Sequence, residues 1–109
     1  MTTDLMDLLR QGTVLGDGGM FLEAKWRGYD VPQIIRTDPD ALRQIHRDFY
    51  CAGSRALQAL TWFTSSVELE ARYGWRDAVD DINRTAIRLA TPNRRRRLST
   101  WRGACPTWE

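Results

Sequence analysis

The sequence predicts an α/β protein built of strand–helix units. Three observations point there. Ala56-Leu57-Gln58-Ala59-Leu60 is nearly continuous in apolar residues, the pattern of a strand buried on both faces of a parallel sheet. Thr13-Val14-Leu15 is a shorter apolar run that ends in Gly16-Asp17-Gly18-Gly19. Helical stripes flank both runs, so the order reads helix, strand, helices, strand, helix. Right-handed crossovers would set the two strands side by side. Two strands make no stable sheet alone, and 109 residues are too few for a complete eight-unit α/β barrel, which takes about 250. The pattern is that of the opening of a fold.

Each element has its own warrant. Asp4 to Arg10 reads as a short helix, with Leu5, Leu8 and Leu9 on one face and Gln11-Gly12 as the stop. Met20 to Arg27 is helical or irregular and closes at Gly28, and Asp30 to Arg36, with Pro32, reads as a loop. Thr37-Asp38-Pro39-Asp40 is a strong helix start: Thr37 or Asp38 can cap, and Pro39 fits the first helical position. Leu42, Ile45 and Phe49 form the stripe of that helix, and Gly53 ends it. Thr61 to Ser66 is the loop after the second strand. Trp75 to Ala90 reads as the last helix, with Val79, Ile82, Ala86 and Leu89 on its apolar face, broken by Thr91-Pro92-Asn93.

Composition limits the function classes. Residues 91–109 carry five Arg and one Glu. The formal net charge of +2 therefore belongs to the tail, and the body offers nothing to attract nucleic acid. The two cysteines, Cys51 and Cys105, form no CxxC pair, so a disulfide framework is not expected and a reducing compartment fits. The N-terminus lacks a basic segment followed by an apolar core, and no run reaches the roughly 18 apolar residues of a membrane span. The expected location is the cytoplasm.

Asp17, Gly18 and Gly19 stand just past a strand's carboxyl end, where α/β barrels place their chemistry. A carboxylate there can accept hydrogen bonds from a substrate ammonium, and exposed glycine amides can receive a substrate carboxylate. The alternative is an ordinary turn, since Asp-Gly is a common turn pair. Gln58, inside the second strand, needs a polar partner. Thr61 and Trp62 at that strand's end either line a pocket or cap and pack under a loop. His46 has no second ligand nearby and reads as a packed helix residue. Cys51 has no His–Asp pair to activate it, and helix ends often bury cysteine.

The ordered set Gly16–Gly19, Phe21-Leu22-Glu23-Ala24-Lys25-Trp26-Arg27-Gly28-Tyr29, Leu42 to Tyr50 and Ala52-Gly53-Ser54 resembles the start of the homocysteine S-methyltransferase family. Lys25 to Tyr29 and His46-Arg47-Asp48-Phe49 point to its betaine–homocysteine branch. The resemblance covers roughly residues 8–90. It implies that residues 1–90 are the N-terminal part, about two βα units, of a homocysteine-binding (β/α)8 TIM barrel, incomplete here. It implies methyl transfer from a betaine-like, sulfonium or folate donor to the thiol of homocysteine, giving methionine. It places Asp17, Gly18, Gly19 and Thr61 in substrate binding, and an aromatic pair at Trp62 and Phe63. It also implies zinc, held in the family by three cysteines on later strands that are absent from this chain. No metal or catalytic residue is therefore assigned, and the fragment is expected to be inactive alone. Ala59 and Leu60 depart from the family's threonine- and aromatic-rich strand.

Residues 91–109 form a basic, irregular tail, read as disordered or as the product of a frameshift. Three alternatives stay open. The chain is a non-catalytic truncated paralogue, a split-enzyme half that self-associates or joins a partner chain, or a small basic RNA-binding protein acting through Arg94–Arg97, Trp101 and Trp108.

Overall fold

The structure is a computed structural model and describes residues 4–91. The readings that fall on the basic tail, Cys105 included, lie outside the described residues. Six helices follow in chain order: α1 (Leu5–Gln11), α2 (Met20–Trp26), α3 (Ile34–Thr37), α4 (Pro39–Cys51), α5 (Ser66–Tyr73) and α6 (Val79–Ala90).

The core is organised around α4. The Asp38 carboxylate accepts from the Ala41 amide at 3.2 Å, and Pro39 occupies the first turn. Both follow from the local sequence, because the cap satisfies an orphan amide and proline has none to lose. Leu42 and Ile45 are fully buried on the face that meets α2, α3 and α6. Ile34 and Ile35 from α3, and Ile82 and Ala86 from α6, fill the same core. Outside it, Arg27 ties α2 to α4 through Asp48 at 2.8 Å.

The two predicted strands do not form as strands. Their segments run parallel and meet in one isolated bridge, Gly16 to Ala56. Leu15 C=O accepts from the amides of Arg55 at 2.8 Å and Ala56 at 3.2 Å, and Ala56 C=O accepts from the Asp17 amide at 3.0 Å. The buried Ser54 hydroxyl adds a bond to Gly16 C=O at 2.9 Å. The neighbour relation matches the expected crossover, but the ladder does not extend. The cause is physical: Leu15 is 59% exposed, the first segment has no second neighbour among the described residues, and a lone strand pair gains too little burial.

Three further elements differ from the sequence reading. The predicted loop at Asp30 to Arg36 contains α3, whose Ile34 and Ile35 are buried. A helix was not expected at α5, yet Ser65 caps it by accepting from the Glu68 amide at 3.3 Å, and Gly74 ends it in the left-handed region at φ 69°. The last helix starts at Val79 rather than Trp75, because Asp77 takes φ 54°. Trp75 instead stacks on Tyr73 at 4.5 Å, with the Arg36 guanidinium 4.3 Å from its ring. Cys51, the last residue of α4, is half-buried. No helix among the described residues is long and apolar enough to cross a membrane.

Replacing the α4 cap tests this account of the core. Asp38→Ala is expected to lower stability by about 1 kcal/mol, read as a shifted urea midpoint with unchanged slope.

Candidate functional site

The bridge delivers Gly18 and Gly19 to one side of a small cavity, and Asp17 stands just before them, outside its lining. Gly16 pairs with Ala56, so the next residues of both segments emerge together. The Asp17 carboxylate spans them: its Oδ2 accepts from the Gln58 amide at 2.8 Å, and its other oxygen takes no hydrogen bond among the described residues. The chain then turns directly into α2, with Gly18 C=O accepting from the Met20 amide at 2.9 Å. The amides of Gly18 and Gly19 donate to no acceptor among the described residues.

The cavity is about 110 Å³, with Gly18, Gly19 and Phe21 on one wall and Gln58, Ala59 and Trp62 on the other. Gly18 packs closely against a side chain from another element. A Cβ there would stand 3.1 Å from Cε1 of Phe49, whereas one at Gly19 would meet only ordinary contacts with Leu22 at 3.5 Å or more. Phe49 projects from α4, so the helix that centres the core also sets the floor of the Asp17–Gly19 turn.

The structure thus brings Asp17, Gly18 and Gly19 together with the second segment. Thr61 is exposed and does not line the cavity; its C=O accepts from the Thr64 hydroxyl at 2.9 Å. Its neighbour Trp62 lines the wall and is 56% exposed. Gln58 contributes its amide, while the residue itself is exposed, so the polar partner expected for its side chain is not needed. Phe63 packs edge-on to Phe21 at 5.9 Å between centroids and lies under the Arg72 guanidinium at 4.3 Å.

His46 is completely buried, as a packed helix residue should be. Neither ring nitrogen has a hydrogen-bond partner among the described residues. Burial pushes its pKa below the ordinary histidine value, and the Asp17 charge opposes this only in part. Among the described residues, no group of three or more His, Cys, Asp and Glu side chains could hold a metal ion.

Sequence reasoning missed the contact between Asn83 and Thr64, which closes at 2.8 Å and anchors the loop bearing Trp62. No short-range signal marks it.

A parallel bridge thus sets the Asp17 carboxylate next to two glycines that line a small cavity. The comparisons give the family. The homocysteine S-methyltransferase model matches residues 14–103, running past Ala90, and the chain belongs to that family. It is 32% identical to an S-methylmethionine–homocysteine S-methyltransferase of Pongo abelii over 92 residues, covering 79% of this chain and 24% of that protein. It is 36% identical to betaine–homocysteine S-methyltransferase 1 of Sus scrofa over 74 residues, covering 62% of this chain and 27% of that protein. Against the Danio rerio betaine–homocysteine S-methyltransferase 1 it is 39% identical over 64 residues, covering 54% of this chain and 16% of the relative. The chain thus spans about a quarter or less of the length of these relatives. No solved structure matches it.

Two expectations follow from the site's packing. Gly18→Ala should destabilise by about 1 kcal/mol or more, because Phe49 must shift, while Gly19→Ala should be neutral or stabilise by about 0.5 kcal/mol; urea denaturation of both variants decides. For His46, a folded pKa below the unfolded value of 6.5 means the unfolded chain takes up the proton first. Stability from the neutral imidazole is complete above about pH 6.5 and is lost as pH falls toward the folded value. Between about pH 7 and pH 5, His46→Gln should therefore show a shallower loss of stability than wild type; equal slopes would clear His46 of the effect.

Proposed function

We propose that this chain supplies the amino-acid-binding part of a homocysteine S-methyltransferase, as the N-terminal portion of a (β/α)8 barrel. The observation that carries the reading is the position of the Asp17 carboxylate immediately before Gly18 and Gly19, whose unengaged amides belong to residues lining one cavity. The carboxylate accepts hydrogen bonds from the homocysteine ammonium, and the amides donate to its carboxylate. Both contacts are charge-assisted, which favours a zwitterion over a neutral ligand. Family membership supports the choice of homocysteine among amino acids. Thr61 acts in this reading through its backbone, by shaping the turn before Trp62.

The reaction of the family proposed for the complete site is a displacement. The homocysteine sulfur attacks the donor's methyl carbon, the bond from that carbon to the donor heteroatom breaks, and the thiol proton is lost. The donor is a betaine, a methylated sulfonium or a folate. Zinc, implied by the resemblance, would make the sulfur a thiolate. The residues present do not fit that ion. The chain has two cysteines in all, and the described residues offer no ligand cluster. No step through zinc is assigned here, and this chain alone is proposed to bind homocysteine without forming methionine.

A second reading is a non-catalytic chain that acts by joining a partner. It is favoured by Leu15 and Leu22, which are 59% and 52% exposed.

Calorimetric titration with homocysteine separates the readings. The wild-type chain should bind, and Asp17→Asn should weaken binding about tenfold or more, the worth of one charge-assisted hydrogen bond. Asparagine keeps an acceptor for the Gln58 amide, so folding should be preserved. Equal affinity would remove Asp17 from the site. Absence of binding by wild type would leave the partner-joining reading.

A further inference from the structure

Beneath the loop that carries Trp62 lies a closed polar unit built by α6. Asn83 Nδ2 donates to the Thr64 carbonyl at 3.2 Å and to the Val79 carbonyl at 2.7 Å. Its Oδ1 accepts from the Thr64 hydroxyl at 2.8 Å. That hydroxyl also lies 2.9 Å from the Thr61 carbonyl. One hydroxyl carries one proton, so Thr64 serves Asn83 and Thr61 in alternation. The two amide protons of Asn83 face two carbonyls, which fixes the amide orientation. Thr64 is 6% exposed, and breaking such a buried unit leaves groups that water does not reach.

The unit holds a conformation that the local sequence does not favour. Phe63 has φ 60°, the left-handed region, which costs a non-glycine residue about 1 kcal/mol or more. Two supports maintain it. Its ring is held by Phe21 at 5.9 Å and Arg72 at 4.3 Å, and the next residue is gripped by Asn83. Before it, the Thr61 amide donates to the Ala59 carbonyl at 3.0 Å. Trp62 is thus fixed from both sides in sequence, although its own indole is largely exposed.

We propose that Asn83 is a positioning residue for the cavity. It sets the shape of the Thr61–Thr64 turn and so stands Trp62 against the Gly18–Phe21 wall, without itself touching the cavity. The ligand in this inference rests on the homocysteine reading; the placement of Trp62 does not.

The test uses the full chain labelled with fluorotryptophan, with the Trp62 fluorine resonance assigned by its loss in Trp62→Phe. Asn83→Leu removes all three Asn83 bonds and leaves the Thr64–Thr61 bond, and Asn83→Asp removes both N–H donors while keeping the acceptor for Thr64. Both should move the Trp62 resonance toward that of the free amino acid, with the signals of Trp26 and Trp75 in place. Homocysteine affinity should fall about tenfold, a change on the scale of one net hydrogen bond. Thr64→Ser, which keeps the hydroxyl, should hold both readouts near wild type, and Thr64→Val should not. A folded Asn83 variant with an unmoved Trp62 signal overturns the proposal. If both Asn83 variants fail to fold, the Thr64 pair decides, and identical Trp62 signals in Thr64→Ser and Thr64→Val overturn it. If wild type binds no homocysteine while Trp62 moves as stated, the homocysteine reading falls and the role of Asn83 stands.

Discussion

The pairing of Leu15–Asp17 with Arg55–Gln58 is the constraint on which the rest depends. Its backbone bonds join segments far apart in sequence, and the Asp17 carboxylate closes the pair by accepting from the Gln58 amide. α2 and α4 are each continuous with a paired segment, so the register of the bridge decides which helix faces meet. The cavity exists because the two segments leave the bridge side by side and then diverge, one into a glycine turn and the other toward an aromatic loop. Without that register, Asp17 would be one more turn residue at the surface.

α4 was legible because its signals are local. A cap, a proline and an acidic residue in succession start it, and its stripe repeats at helical spacing. α5 was legible in principle: Ser65 and Glu68 stand at capping-box spacing, and Gly74 is the stop. The sequence reading starts α6 at Trp75, four residues before its stripe begins at Val79. That indole is committed to Tyr73 and Arg36, and Asp77 breaks the helical path. Such competition between a local period and a tertiary contact is not written in the spacing. The strand runs were apolar enough to suggest a ladder, but a ladder needs neighbours on both edges, and the exposure of Leu15 records their absence among the described residues.

The same division applies to the site. Asp17 and its glycines stood out because a carboxylate between glycines after an apolar run is unusual chemistry in a short space. The reason a glycine suits position 18 was not readable, since it is the ring of Phe49, brought in from another helix. Thr61 was expected to face the ligand, and its carbonyl instead receives the Thr64 hydroxyl. Gln58 was expected to need a partner for its side chain, and it offers its backbone instead. In each case the sequence marked the right neighbourhood, while the atom that acts was chosen by the packing of distant segments.

The contact between Phe49 and Gly18 has a consequence for how this chain can change over time. The two positions share one volume. While an aromatic ring occupies position 49, a side chain at position 18 is disfavoured, because the ring must give by a few tenths of an ångström to admit it. A smaller residue at position 49 would release that constraint, and a side chain at position 18 could then be accepted without strain, screening the exposed amides of the turn from the cavity. Substitutions on a helix can therefore open or close the route by which the exposed amides of this turn are lost. The two positions are expected to vary together among related chains, although they are distant in sequence and one of them touches no ligand.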